Sequence, residues 1–333
     1  MRTFARSSGR AVCSFADDAN AGPSQKHTHP APSQRVGELE LSVVIAAGEG
    51  AGSIRSCLEH LRASCDGLSH ELLVVTRAGT TAAAATRDVA PEAIVVEGPA
   101  DALTPALWAA GMRRARGNVI GITTESFTVA PGWAAAMCRA IATGATGAGG
   151  PIMLGEGTAI ADVALFYLRY AKFLTQPAVE LQVHDIPGDN AAYDARALAA
   201  RSATWADGFW EVDFHRRLGA SEHLVHVPDA EAAFAAGVPL RSMMKQRFEH
   251  GRHSGAWRVA NAIRSRAAVL LAAPAVPALL TLRTARRVLP IRSHRRRFVS
   301  ALPVFLVLAA AWAAGEFWGA LVQSQVHDRR AIA

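Results

Sequence analysis

The sequence predicts an α/β fold, a sheet with parallel pairing flanked by helices, followed by C-terminal membrane-associated helices. Three observations carry this prediction. Short apolar runs begin 22 to 30 residues apart between Leu41 and Thr123. Segments long enough for helices separate them, which is the rhythm of βαβ units. Finally, two apolar stretches, 267–282 and 298–322, bracket seven arginines between Arg283 and Arg297.

Residues 1–38 mix Ser, Pro, His, Gly and charge without periodicity and predict a disordered tail. The Arg-rich start, MRTFARSSGR, leads into no apolar stretch, which argues against a cleaved secretory signal. LSVVIAA, ELLVVT, AIVVEG and NVIGIT predict buried strands, and Ser53 to Ala63, Ala82 to Asp88 and Asp101 to Ala115 predict the helices around them. PGWAAAMCRAIA predicts a helix with Pro131 near its start, where a missing N–H is tolerated. GAGGPIML reads as a turn feeding a strand. Ala161 to Phe173 and Glu211 to Leu218 read as helices flanking IPGDNAAYD, a loop that leads into a further helix.

The 298–322 stretch holds one acid, Glu316, and the aromatics Trp312, Phe317 and Trp318 toward one end, which predicts a transmembrane helix with an interfacial belt. The 267–282 stretch is shorter and carries Pro274 and Pro277, which predicts an interfacial or re-entrant segment. Between 241 and 297, fourteen Lys and Arg face the single acid Glu249, although the formal net charge of the chain is only +7. The basicity is therefore local. Because apolar segments bracket it and no aromatic platform interleaves it, it suits a membrane surface or a phosphorylated substrate rather than nucleic acid.

Half of the residues are apolar and 19% are charged, which excludes a mainly disordered, collagen-like or coiled-coil chain. Cys13, Cys57, Cys65 and Cys138 form no C-x-x-C pair, so neither a zinc knuckle nor a disulfide framework is indicated, and a reducing compartment fits. Gly48-Glu49-Gly50-Ala51-Gly52 suggests a phosphate loop, yet Ser53 stands where a third glycine would complete G-x-G-x-x-G; a flexible strand-to-helix turn explains it as well. The three lysines form no G-K-[ST] context, no G-x-S-x-G is present, and the H-x-x-H pairs His223/His226 and His250/His253 enclose no glutamate. P-loop, nucleophile-elbow and zincin chemistry thus lack support.

The order LSVVIAAGEGAGSIRSCLEHL, ELLVVT, GNVIGITTESFTVAPGW, GGPIML, IPGDNAAYDARAL, DGFWEVDFHRRL and KQRFEHGRHSGAWR resembles family 2 glycosyltransferases over residues 40–258. The resemblance implies a GT-A-type fold with a mixed sheet: a catalytic domain over 39–258, then a basic membrane-proximal segment over 259–297, the helix at 298–322 and a tail at 323–333. It implies donor contacts from Ala46, Gly48, Glu49, Thr76, Thr124 and Glu125, and acceptor or phosphate contacts from Asp189, Asn190, Gln246, Arg247 and Arg252. Where the family carries D-x-D, this chain has Thr124-Glu125-Ser126, leaving Glu125 as the one carboxylate for Mg²⁺ or Mn²⁺. The uracil-contacting aspartate is likewise replaced at Thr76-Arg77.

Glu211 occupies the place of the family's catalytic base, which takes a proton from the acceptor hydroxyl in an inverting displacement. Ordinary structural roles stand beside these: a helix-N-terminal acid at Glu211, a plain turn at Asp189-Asn190, a loop acid at Glu125, a lipid-facing basic surface at Arg247 and Arg252. The expected function is a membrane-associated glycosyltransferase acting on a nucleotide-sugar donor and a lipid-linked or cell-envelope glycan acceptor. Its catalytic domain is expected on the cytoplasmic side, where the positive-inside rule places the arginines. The alternative is a degenerate module that binds nucleotide, glycan or lipid without turnover.

Overall fold

A computed structural model describes residues 39–330 apart from 49–50, 176–177, 236 and 262. The predicted N-terminal tail lies outside the described residues. The first half alternates strands and helices as the apolar runs require: β1 (Leu41–Ala47), α1 (Ala51–Ser64), β2 (His70–Arg77), α2 (Ala82–Val89), β3 (Ile94–Gly98), α3 (Thr104–Met112) and β4 (Val119–Thr124). Every residue of β1 is buried, as expected of a strand with neighbours on both edges and helices on both faces. Helix α3 starts later than its pattern suggests, with Pro105 in its first turn.

The second half is less regular: β5 (Phe127–Val129), α4 (Trp133–Ala142), β6 (Gly147–Gly149), β7 (Ile152–Leu154), α5 (Ile160–Tyr170), β8 (Leu181–Val183), β9 (Asn190–Asp194), α6 (Ala195–Ala200), α7 (Glu211–Arg216), β10 (Leu224–His226) and β11 (Ala232–Phe234). The mixed eight-stranded sheet runs β3-β2-β1-β4-β9-β6-β10-β8, and a three-stranded sheet runs β5-β11-β7. Strands β3, β2, β1 and β4 are parallel, whereas β9 lies antiparallel between β4 and β6. Residues 190–194, read from sequence as part of a loop, are thus a central strand. Ala191, Ala192 and Tyr193 are wholly buried, and small residues let helices approach both faces closely.

The chain leaves β1 toward β2 on one side, and β4 lies on the other, so the strand order reverses between β1 and β4. In open α/β sheets such a switch point opens a crevice beyond the carboxyl ends of the strands. Here those ends are Ala46 to Gly48, Thr76-Arg77 and Thr124-Glu125.

Helix α8 (Leu240–Ala260) is followed by α9 (Arg266–Ala272), α10 (Val276–Val288) and α11 (Arg292–Arg330). With the turn at Ala273–Ala275, α9 and α10 form a near-continuous helical run over 266–288; Pro274 and Pro277 sit in first turns, so neither breaks it. The region read as too short and broken to span is therefore, like Arg292–Val322, long and apolar enough to cross a membrane. Arg266 donates to the Leu321 carbonyl at 2.8 Å, so the run folds back antiparallel along α11.

Helix α11 buries a continuous stripe, Phe298, Ala301, Phe305, Leu308, Ala309 and Ala313, against the domain. Its lower end meets α5, where Tyr167 hydrogen-bonds His294 and packs edge-on against Phe298 at 5.4 Å. Its upper end crosses α8 with the two backbones in contact. A Cβ on Gly251, Gly255, Gly315 or Gly319 would come within about 2 Å of a carbonyl oxygen of the opposite helix.

Candidate active site

Two cavities adjoin at the switch point. The smaller, about 50 Å³, is lined by Ala46, Gly48, Arg77, Thr124, Glu125 and Gln246 among others. The larger, about 310 Å³, is lined by Arg169, Asp189, Glu211, Arg247, His250 and Trp312 among others. Thr104 and Arg169 line both. The larger volume suits a small-molecule site, and the smaller has room for a few atoms only.

Glu125 follows β4 directly. Its backbone N–H donates to the Ala46 carbonyl at 3.1 Å, and its Oε1 accepts the Gly48 N–H at 2.8 Å, so the carboxylate ties the β1 loop to the end of β4. Among the described residues it is the sole acid lining the smaller cavity, beside the cations Arg77 and Arg169. Among the described residues no group of three or more metal-ligating side chains exists. The donor set does not fit a cation held by the protein alone.

Glu211 opens α7 and lies over Gly188, where an added Cβ would come within 2.7 Å of the glutamate Cγ. Only glycine lets the 187–190 turn pass beneath it. Burial, and then the nearby Asp189 carboxylate, raise the Glu211 proton affinity above the usual carboxylate range, while His215 and Arg169 oppose the shift. Below α7 a chain that runs from the buried core to the surface holds the helix: the Tyr193 hydroxyl contacts His215 Nε2 at 2.9 Å, His215 Nδ1 contacts the half-buried Asp185 Oδ1 at 2.6 Å, and the exposed Lys172 pairs with the other Asp185 oxygen. Burial would raise Asp185, but these hydrogen bonds outweigh it and keep the carboxylate charged.

Asp189 accepts from Arg169 at 2.6 Å and from the Tyr170 hydroxyl at 2.9 Å, both on Oδ2, leaving the buried Oδ1 with no hydrogen-bond partner among the described residues. Arg247 is 6% exposed and makes no ion pair among the described residues. Its guanidinium lies 5.7 Å from the Trp312 ring, and its Nε has no hydrogen-bond partner among the described residues. Burial, with Arg169 nearby, lowers its pKa to about 9, so it stays charged at neutral pH. His250 is pushed well below its ordinary value by burial and by Arg247 and Arg169, and is neutral there.

The structure thus brings Ala46, Gly48, Thr124, Glu125 and Gln246 to one cavity and Asp189, Glu211 and Arg247 to the other. Three expected site residues stand elsewhere. The Asn190 amide is fully engaged inside the fold, accepting from Trp133 Nε1 and donating to the Pro151 and Ala230 carbonyls, so it is a structural tie. Arg252 is half-exposed, pairs with Glu249 one helical turn away, and lines neither cavity. Thr76 is wholly buried, and its neighbour Arg77 reaches the cavity instead. Glu49 lies outside the described residues.

The lining residues to which the sequence assigns no part in the site are Arg169, Tyr170, Lys172, His250 and Trp312, the last read there as part of an interfacial belt. Arg169 and Tyr170 close a helix whose pattern reads as an ordinary buried face, and the basic charge among apolar neighbours was the one available signal. His250 and His253 were noted as a pair; they flank Trp210, with His253 stacked on its ring at 4.1 Å.

The site therefore combines a raised carboxylate, a buried unmatched cation and a switch-point crevice. No protein-family model and no curated protein sequence matches the chain. Among solved structures the chain is similar to the mannosyltransferase PcManGT from Pyrobaculum calidifontis in complex with GDP-Man and Mn²⁺, at 17% identity and a TM-score of 0.46, over 84% of this chain and 88% of that one.

Proposed function

We propose that the protein is a membrane-associated, inverting glycosyltransferase that moves a sugar from a nucleotide donor to a lipid-linked or envelope-glycan acceptor. The observation that carries this reading is the adjacency of the two cavities through Arg169, with Glu211 on one side and the β1–β4 switch point on the other. The donor's phosphates would meet Gly48, Thr124 and Gln246. An acceptor hydroxyl would attack the anomeric carbon as the bond from that carbon to the diphosphate oxygen breaks. The bonding electrons leave with the diphosphate, and the hydroxyl proton passes to Glu211.

The buried Arg247 answers the growing negative charge of the leaving group, with Arg169 beside it. A bound Mg²⁺ or Mn²⁺ would neutralise donor phosphate charge, held mainly by those phosphates with Glu125 as the protein's carboxylate. Leu168, Phe173, Leu280 and Trp312 give the larger cavity an apolar wall, which supports an acceptor with a lipid portion.

A donor screen on purified membranes, scoring UDP or GDP release, tests the reading. Turnover with one donor, lost in Glu211→Gln with nucleotide binding retained, is expected. Residual turnover in EDTA that Arg247→Gln abolishes would assign the charge to arginine. Nucleotide binding without turnover for any donor would leave a binding module instead.

A further inference from the structure

From the packing of α11 we infer that the helical hairpin of residues 266–322 lies flat on an anionic lipid bilayer as a monotopic platform, with both ends of α11 on the side of the catalytic domain. This rests on the membrane association proposed above but not on the chemistry of the site.

A helix that crosses a bilayer must leave its soluble domain, because about 30 Å of hydrocarbon lies between the two surfaces. Helix α11 does not leave. At one end Tyr167 of α5 holds His294 and Phe298, and α5 belongs to the main core. Eighteen residues on, about 27 Å along the axis, Glu316 pairs with Arg258 of α8, and the glycine crossing clamps the two backbones. Helix α8 is itself fixed to the domain through Met243 in the core and His253 stacked on Trp210. The domain therefore holds α11 at two points as far apart as a bilayer core is thick.

The one acid of the apolar stretch faces inward, where it is 2% exposed, and so puts no charge toward lipid. The outward side carries large apolar groups, Leu279, Leu282, Val299, Leu306, Phe317 and Trp318, that are between 40% and 56% exposed. Around the turn at 289–291, all seven arginines from Arg283 to Arg297 are exposed, and none forms an ion pair among the described residues. An outward apolar face with a dense cationic end is complementary to acidic headgroups over acyl chains, the arrangement of helices that lie in the interface plane.

The test uses the full chain with Cys13 and Cys138 changed to Ser. Ser293→Cys and Ser324→Cys are each labelled with a membrane-impermeant maleimide in oriented vesicles. Labelling of both from the side of the catalytic domain is expected. Ser324→Cys on the far side would show a single crossing, and Ser293→Cys on the far side a crossing hairpin; either overturns the inference.

In a second arm, purified protein is sedimented with phosphatidylcholine vesicles with and without phosphatidylglycerol. Combined Arg295→Gln, Arg296→Gln and Arg297→Gln should weaken binding to the acidic vesicles at least about tenfold. Combined Phe317→Ser and Trp318→Ser should weaken binding to both. Undiminished binding by the two variants overturns the inference. Vesicle-free self-association that the Phe317→Ser, Trp318→Ser variant abolishes overturns it as well, since a second copy would then be the occupant.

Discussion

A guanidinium that is almost wholly buried, and that no carboxylate pairs among the described residues, weakens the folded state it sits in. Arg247 is retained in such a place, against Trp312 and beside Arg169, and a bound anion is the partner that would relieve it. Arg247→Gln is therefore expected to raise the thermal midpoint by about 2 °C or more while weakening nucleotide-diphosphate binding at least tenfold. Calorimetry with and without nucleotide measures both, and a lowered midpoint would mean that the charge is already satisfied. Gly188 makes the complementary case through space alone. Gly188→Ala should displace Glu211 and lower kcat, with little change in nucleotide affinity, because the clash meets the side chain and not the other cavity.

Among elements, the crossing of α8 and α11 has the least tolerance. Gly315→Leu would drive a side chain into the Phe248 carbonyl and part the helices. It should separate Arg247 from Trp312, lower the thermal midpoint and raise the nucleotide Kd together, whereas Val299→Leu on the outward side of the same helix should change neither. The parallel strands were legible in sequence because β1, β2 and β4 are continuous apolar runs at regular spacing. Strands β5, β6, β7, β10 and β11 have three residues each, too few for any period to show. Strand β9 hid behind the turn residues that precede it, and its alanines read equally as helix. That Glu211 opens a helix was legible through its motif context; that it lines the larger cavity came from the fold. The pairing of Arg169 with Asp189, and the hydrogen-bonded chain from Lys172 to Tyr193, join residues distant in sequence and could be seen only in the fold.

At the scale of the whole molecule, buried groups of both signs set the response to pH. His250 faces Arg247, Arg169, His253 and Arg77 and stays neutral in the fold, while in the unfolded chain it takes a proton near its ordinary pKa. Its contribution to stability is thus lost as pH falls through the mid-sixes. Glu211 acts in the opposite sense: its raised proton affinity favours the fold at acid pH, and this contribution fades as pH rises from the usual carboxylate range through its folded value. Urea midpoints should therefore fall between pH 7 and pH 5.5 by less in His250→Gln than in the unmodified protein. Turnover, which needs an ionised Glu211, should lose its acidic limb at a pH above the ordinary glutamate value of about 4.3; a limb at or below that value would remove Glu211 from the role of base.

Trp312 and Leu280 belong to the apolar hairpin and also wall the larger cavity. If that hairpin rests on lipid, the mouth of the cavity and the plane of the bilayer share a boundary, and a lipid-borne acceptor reaches it by lateral diffusion. The rate would then follow the mole fraction of acceptor in the surface, not its bulk concentration. Adding inert lipid at constant acceptor should slow the reaction by surface dilution.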